Sequence, residues 1–420
     1  MTARLHRLAN GVRVICDPMP GLETLALSVV AGRGARWEDE TRSGWSHLLE
    51  HMVFKGAGER SARDIVEAIE AEGGQLNAAT GYERTSFQTR ALAGGLPLAM
   101  RVTADLLLRP TLNADDLVRE KQVVGQEIAE AADTPDDLVF DLAQAKAWTD
   151  QPLGRPILGT VKSLKAVTPA DLADWRATLY APDRLVVSAA GSVNEDELLR
   201  LAEAAFGHLP AGTGAPPPPA AFTGGLSTKA RRLEQAHLVL LLPAVGAGHD
   251  DYFVLRLFAE ALGGGMSSRL FQEAREKRGL AYAIDAWADT YADAGALGIY
   301  AGCAALNATE LARIAAGEIV ALASGVGGAE LARAKAQLKA HMFMGREQPL
   351  TRAEQSAGQT LLFDRLYPAA ELAAAIDAVT AADFTRLGQR LIGDRRSAVS
   401  VLGARSALGA PEAFESALFG

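Results

Sequence analysis

The chain has 420 residues, 49% of them hydrophobic and 22% charged, with a formal net charge of −9. That length exceeds a comfortable single core and suggests two domains near 200 residues each. The acidic balance and the lack of a basic block exclude nucleic acid as the main partner. No run of 18 apolar residues exists, so no membrane span is expected; the opening has no apolar leader segment, and a cytoplasmic protein is the simplest reading.

In chain order, MTARLHRLANGVRVI reads as strand, Asn10-Gly11 turn and strand, followed by a strand in GLETLALSVVAG. Residues 43–56, SGWSHLLEHMVFKG, form a short helix with serines available to cap its start and Gly56 to end it. GGQLNAATGYERTSFQTR is a strand pair around the Gly81-Tyr82 turn. A long helix spans 113–133, and DRLVVSAAG is a further strand. Cys16 and Cys303 lie far apart in strand-like runs and read as buried, reduced thiols.

The clearest boundary is AGTGAPPPPA at 211–220, whose four prolines favour a semi-rigid extended spacer. The same order of elements recurs on both sides of it. VTPADLADWRATLYAPDRLVVSAAG, from Val167, aligns without a gap to VTAADFTRLGQRLIGDRRSAVSVLG, from Val379. Identities include Thr168/Thr380, Asp171/Asp383, Leu179/Leu391, Ser188/Ser400 and Gly191/Gly403. The expected fold is therefore a duplicated α+β one: two homologous domains, each a mostly antiparallel sheet with helices packed on one face. Their expected extents are 1–210 and 223–420, joined by the linker 211–222.

The chemistry sits in the helix at 43–56. Positions i and i+4 share a helical face, so His47 and His51 can offer ring nitrogens to one ion. Glu50 is offset from that axis, beside a water on the metal, where it can take a proton and pass it to a leaving amine. With seven histidines in the chain, HxxEH arises by chance on the order of once in a hundred such sequences. The pattern is the reverse of HExxH, the inverzincin signature. Three protein ligands and an open fourth position make a catalytic zinc site. The helix at 113–133 offers Glu120, Glu127 and Glu130 for the third, and geometry alone does not choose among them.

Together these stretches resemble the pitrilysin (inverzincin) family of zinc metallopeptidases, in its subfamily B. The similarity is greatest to the catalytic beta subunit of the mitochondrial processing peptidase and its bacterial relatives. It runs from LANGVRV through HLLEHMVFKG and PLGRPILG to LGGGMSSRLF and REKRGLAY. The resemblance implies a third ligand at Glu127 and a supporting carboxylate at Glu120, with one Zn²⁺ per chain. It implies that the strand carrying Asn77, Ala78 and Ala79 binds substrate as an added antiparallel strand. In the second half, Arg275 and Tyr282 match a pair that helps bind substrate and stabilise the oxyanion. Family members of this size pair into a clamshell with an enclosed chamber, so a dimer is expected, a homodimer first and a heterodimer with a metal-free paralogue as the alternative. The implied activity is zinc-dependent endopeptidase cleavage of unstructured peptides or leader segments. The second half departs from the motif, since DDYFVLRLFAEALGGG carries Glu260 but no histidine pair.

Overall fold

A computed structural model describes residues 3–212 and 215–420; Met1, Thr2 and the Thr213-Gly214 pair of the expected linker lie outside the described residues. The chain forms two compact units, each built on one main sheet.

The first unit's sheet has the strand order Arg4–Arg7, Arg13–Pro18, Leu185–Gly191, Thr24–Ala31, Thr85–Leu92, Gln75–Thr80. Arg13–Pro18 runs parallel to Leu185–Gly191, and the other neighbours are antiparallel. The second unit repeats this without the outermost strand, in the order Gly225–Ala230, Ala398–Gly403, Gln235–Ala244, Gly295–Ala304, Ala281–Thr290. Its one parallel pair, Gly225–Ala230 with Ala398–Gly403, occupies the corresponding place. The duplication inferred from Val167 and Val379 is thus written in the pairing itself. Its helices start alike as well: Thr168 accepts from the Asp171 amide and Thr380 from the Asp383 amide, each in a reciprocal capping box.

The units differ from the expected halves in one respect. Residues 130–155 of the first half belong to the second unit, and Phe343–Pro368 of the second half belongs to the first. The 1–210 and 223–420 boundaries are corrected accordingly, although the crossing at Pro218/Pro219 does fall inside the proline run. Each half therefore donates a helix to the other half's sheet. Helix Pro349–Phe363 lies on Leu185–Gly191 and Thr24–Ala31, while helix Pro135–Ala147 lies on Ala398–Gly403 and Gln235–Ala244.

The exchange explains why the central strands are buried on both faces and almost wholly apolar, with Ser28, Ser188 and Ser400 the buried exceptions. In the first unit Val14, Cys16, Leu27, Val29 and Val187 face the main helix layer, including Leu48, Leu49 and Met52. Ile15, Val30 and Val186 point the other way and meet Ala357 of the donated helix. The expectation of helices on one face describes the main layer, and a single donated helix covers the opposite face. A strand covered on both sides loses the polar alternation of a half-exposed one. Gln75–Thr80, at the sheet's edge, keeps that alternation, with Leu76, Ala78 and Thr80 less exposed than Gln75, Asn77 and Ala79. Cys16 and Cys303 are buried free thiols, and burial pushes both up to about 11. No single helix among the described residues is long and apolar enough to cross a membrane.

Candidate metal centre

The motif helix runs Trp45–Val53. Serines do not cap it, contrary to expectation. Its N-cap is Gly44, at a φ of 88°, where a Cβ would come 2.6 Å from the Leu158 carbonyl oxygen. The capping acceptor is remote: buried Glu38 takes the Gly44 amide at 2.8 Å and the Ser46 amide at 2.7 Å. A carboxylate there also suits the positive end of the helix dipole. Ser46 turns its hydroxyl to the Trp175 indole N–H at 3.1 Å instead. Nor does Gly56 end the helix: it opens the short strand Gly56–Ala57 at a φ of 149°. Leu48, Leu49, Met52 and Val53 are fully buried. At roughly 1.5–3 kcal/mol per buried side chain, against ~1 kcal/mol for a cap, packing holds this helix and Glu38 sets where it begins.

That packing leaves His47, Glu50 and His51 on the opposite, partly accessible side. Helix Ala114–Asp133 brings Glu127 to them. Glu127 Oε2 lies 3.9 Å from His47 Nε2 and 3.6 Å from His51 Nε2, and one ligand atom from each residue falls within 4.8 Å of the others. Tetrahedral zinc, with Zn–N and Zn–O bonds of about 2.1 Å, needs ligand atoms about 3.4 Å apart. The two spacings from Glu127 sit a few tenths of an ångström wider. Glu127 Oε2 is buried with no hydrogen-bond partner among the described residues, an acceptor whose unmet demand a cation would satisfy. Burial, with the neighbouring His51 charge second, pushes His47 down to about 4, so this imidazole stays neutral and free to ligate. The donor set fits a divalent metal.

Of the three glutamates left open by the sequence, Glu127 joins the histidines, Glu120 stands behind one of them and Glu130 is exposed outside the cluster. Glu120 is buried; its Oε2 lies 3.1 Å from His51 Nδ1, and its Oε1 accepts from Lys55 Nζ at 2.8 Å. This chain orients His51 with its Nε2 toward Glu127. His47 Nδ1 is buried and has no such partner. Glu50 is raised above the usual carboxylate range by burial; hydrogen bonds from Thr80 oppose the rise. Thr80 Oγ1 donates to Glu50 Oε2 at 2.5 Å. Tyr180 stands nearby, stacked edge-on against Phe87, with a buried hydroxyl that has no partner among the described residues. Burial first, and the Glu50 charge second, raise its phenol.

The remaining expected residues are distributed as follows. Asn77 and Ala79 are exposed on the outward side of the edge strand, while Ala78 packs toward the helix layer. Arg275 and Tyr282 belong to the second unit. Arg275 lies in the short π-helix Phe271–Glu276, its guanidinium 4.7 Å over the Phe271 ring. Tyr282 sits where the register of Ala281–Thr290 slips, and this bulge leaves it 77% exposed. Sequence reading missed Glu38, Lys55, Thr80 and Tyr180. Lys55 carried a usable signal, four residues beyond His51 on the same face; Glu38 carried none, since its role depends on a loop conformation.

Comparison with known proteins matches two successive stretches of the chain that meet between residues 161 and 166. Residues 13–161 match the family model described as insulinase (peptidase family M16), and residues 166–338 match the model described as peptidase M16 inactive domain. An uncharacterized zinc protease of Mycobacterium tuberculosis is 35% identical over 410 residues, covering 96% of this chain and 93% of the relative. One of Rickettsia felis is 34% identical over 388 residues, covering 92% and 94%. Among solved structures, a protease from Helicobacter pylori superposes with a TM-score of 0.88 at 20% identity, covering 96% of this chain and 99% of that one. A peptidase M16 inactive domain from Pseudomonas fluorescens superposes with a TM-score of 0.87 at 20% identity, covering 96% and 98%. The structures share the fold, and the relatives share a third of the sequence over nearly the whole length. The chain belongs to the pitrilysin-like peptidase family M16.

Proposed function

We propose that this protein is a zinc-dependent metalloendopeptidase of the processing-peptidase type that cleaves unstructured peptides or leader segments. His47, His51 and Glu127 would hold one zinc per chain, with Glu50 as general base and Glu120 supporting His51. The observation that carries this reading is the three-residue donor set converging on one point, with Glu127 Oε2 buried and unpartnered and Glu50 beside it. Structural zinc sites are usually closed by four protein ligands, so a set of three favours catalysis over a purely architectural metal.

Zinc held there supplies Lewis acidity, lowering the pKa of water and polarising the scissile carbonyl. The chain's own groups do the rest. Glu50 accepts the proton of the attacking water as its oxygen bonds to the carbonyl carbon. It then returns that proton to the amide nitrogen as the C–N bond breaks, leaving a free amine and a carboxylic acid, which loses its remaining proton to solvent. Burial raises Glu50 above the usual carboxylate range, which makes it a stronger base than a solvated carboxylate. The free edge of Gln75–Thr80 suits a peptide laid down as an added strand, with Asn77, Ala78 and Ala79 contributing mainly backbone contacts. Such contacts accept many side chains, so cleavage with limited sequence preference is expected.

Arg275 and Tyr282 are the proposed donors to the developing oxyanion. Their placement on the other unit, with Tyr282 projecting from a bulge, suits service to the site of a paired copy in a homodimeric clamshell. Mixing a His51→Ala chain with a Tyr282→Ala chain should then restore part of the activity each lacks. No recovery despite verified subunit exchange would rule out the shared site.

The peptidase reading is tested by mass-spectrometric cleavage mapping of an unstructured peptide mixture with wild type, chelated wild type and Glu50→Gln. Cuts should appear only with metal-loaded wild type, and Glu50→Gln should keep its zinc while turnover falls by about 10²–10⁴-fold. A Glu50→Gln protein that cleaves at near wild-type rate would overturn the general-base assignment.

A further inference from the structure

Glu50 and the edge strand Gln75–Thr80 are separate features of the proposed site, yet one side chain joins them. Thr80, the last residue of that strand, donates its hydroxyl to Glu50 Oε2 at 2.5 Å. Strand alternation requires this direction. Leu76 and Ala78 already face the helix layer, so Thr80 two residues on points there too, toward Trp45–Val53.

Thr80 is itself held firmly. Its strand pairs with Thr85–Leu92 in continuous register to the Thr80/Thr85 pair, and the Gly81 amide donates to the Arg84 carbonyl at 2.8 Å across the turn. The turn is fastened from outside: the Ala35 amide donates to Gly81 O at 3.0 Å and the Arg36 amide to Tyr82 O at 2.8 Å. Gly34 permits this approach, since a Cβ there would lie 2.1 Å from Gly81 O. Buried Arg36 also pairs with Glu83 inside the turn. A threonine on so fixed a backbone has few χ1 choices, which fixes its hydroxyl as well. The long side chain of Glu50, by contrast, has no other side-chain hydrogen bond among the described residues. A charge-assisted O–H···O⁻ contact is strong enough to select one of its rotamers.

We propose that Thr80 is a positioning residue for Glu50, so that the strand on which the peptide is laid also aims the base. The bond occupies Oε2 and leaves Oε1 as the oxygen that takes up the proton. Base and substrate then share one rigid reference, and a peptide in register with Gln75–Thr80 is in register with Glu50. This rests on the reading of Glu50 as general base and extends it to a residue outside the motif.

The test compares Thr80→Val, which keeps shape and strand preference but lacks the donor, with Thr80→Ser, which keeps the donor. In the zinc-loaded enzyme Thr80→Val should lower kcat about 10–100-fold, since small misplacements of a reacting group carry losses of that order. KM, zinc content and thermal midpoint should stay near wild type, and Thr80→Ser should recover kcat to within about threefold. A Thr80→Val enzyme with undiminished kcat, or an equal loss in Thr80→Ser, overturns the proposal. A second readout needs no turnover: the Glu50 carboxyl ¹³C resonance of the metal-free protein, identified by its loss in Glu50→Gln. It should move in Thr80→Val and hold in Thr80→Ser; an unmoved resonance in Thr80→Val overturns the contact. Should wild type cleave nothing, the peptidase reading fails, while the resonance still decides whether Thr80 holds Glu50.

Discussion

The two units share strand order, one parallel pair, matched capping boxes and an exchanged helix, yet only one gathers a donor set for a metal among the described residues. In the first, the short helix after the central strand carries His47, Glu50 and His51, and the long helix adds Glu120 and Glu127. In the second, helix Tyr252–Gly263 is apolar along most of its length, with Arg256 exposed and Glu260 as its only carboxylate. Burial raises Glu260 above the usual carboxylate range, opposed by the nearby charge of His341 on helix Gly328–Gly345. One carboxylate and one imidazole fall short of the three ligands a catalytic site needs. The fold is thus a scaffold that tolerates both a chemical helix and a plain one at the same place, and a handful of side chains decides which it is.

The largest expected effect breaks this comparison open. His51→Ala or Glu127→Ala should lower turnover by about 10³-fold or more, because a metal supplies several kcal/mol and each ~1.4 kcal/mol is tenfold. Glu260→Ala in the second unit should leave kcat/KM within about twofold. Steady-state kinetics on a quenched peptide checks both; a comparable loss in Glu260→Ala would mean that the second unit also does chemistry.

The donated helices come next, because they are seated differently. Pro349–Phe363 is seated through ionic contacts: Arg352 donates to Asp17, with the Nε to Oδ2 distance at 2.7 Å, and Glu354 accepts from Ser28. Asp17 is only 1% exposed. Removing its partner in Arg352→Met leaves a buried charge uncompensated, which should cost about 3–5 kcal/mol in urea unfolding. Pro135–Ala147 is seated by apolar packing: Val139, Ala143 and Ala147 are fully buried, and at the margin Phe140 stacks on Tyr300 at 5.5 Å and meets Trp287 at 5.4 Å. Phe140 stays partly exposed, so Phe140→Ala should cost nearer 1 kcal/mol. Equal losses would contradict the ionic account of the first helix.

The smallest effects sharpen the likeness between the units. Thr168→Ala and Thr380→Ala should each destabilise by about 1 kcal/mol, since both remove the same cap. The Asp383 box adds a pH signature. Bonds from Thr380, then from Arg386, hold its carboxyl at about 2, below the ordinary value of 3.8. A depressed carboxylate stabilises above its unfolded value and loses that contribution as pH falls through the folded one. The stability difference between wild type and Asp383→Asn should therefore be full above pH ~5 and largely gone by pH ~2. A difference independent of pH would show that the charge of Asp383 is irrelevant.

Much of this was legible in the sequence because it depends on spacing. Period and turn residues marked the strands around Asn10-Gly11 and Gly81-Tyr82, and the aligned segments at Val167 and Val379 marked the duplication. The i, i+4 rule placed His47 and His51 together, and resemblance placed Glu127 with them. The unread features are long-range. The helix exchange leaves the order of elements unchanged and alters only which sheet each helix reaches. Glu38 acts six and eight residues from the amides it caps, through a loop bend that local pattern does not encode. Thr80 bonds to a residue 30 positions away, a pairing visible only once strand and helix are layered.

The most direct test of the central claim, a single metal centre confined to the first unit, is the zinc content of the purified chain after exhaustive dialysis. One zinc per chain is expected, falling to none in His51→Ala/Glu127→Ala and unchanged in Glu260→Ala/His341→Ala. Two zincs per chain, or one that survives loss of His51 and Glu127, would contradict it.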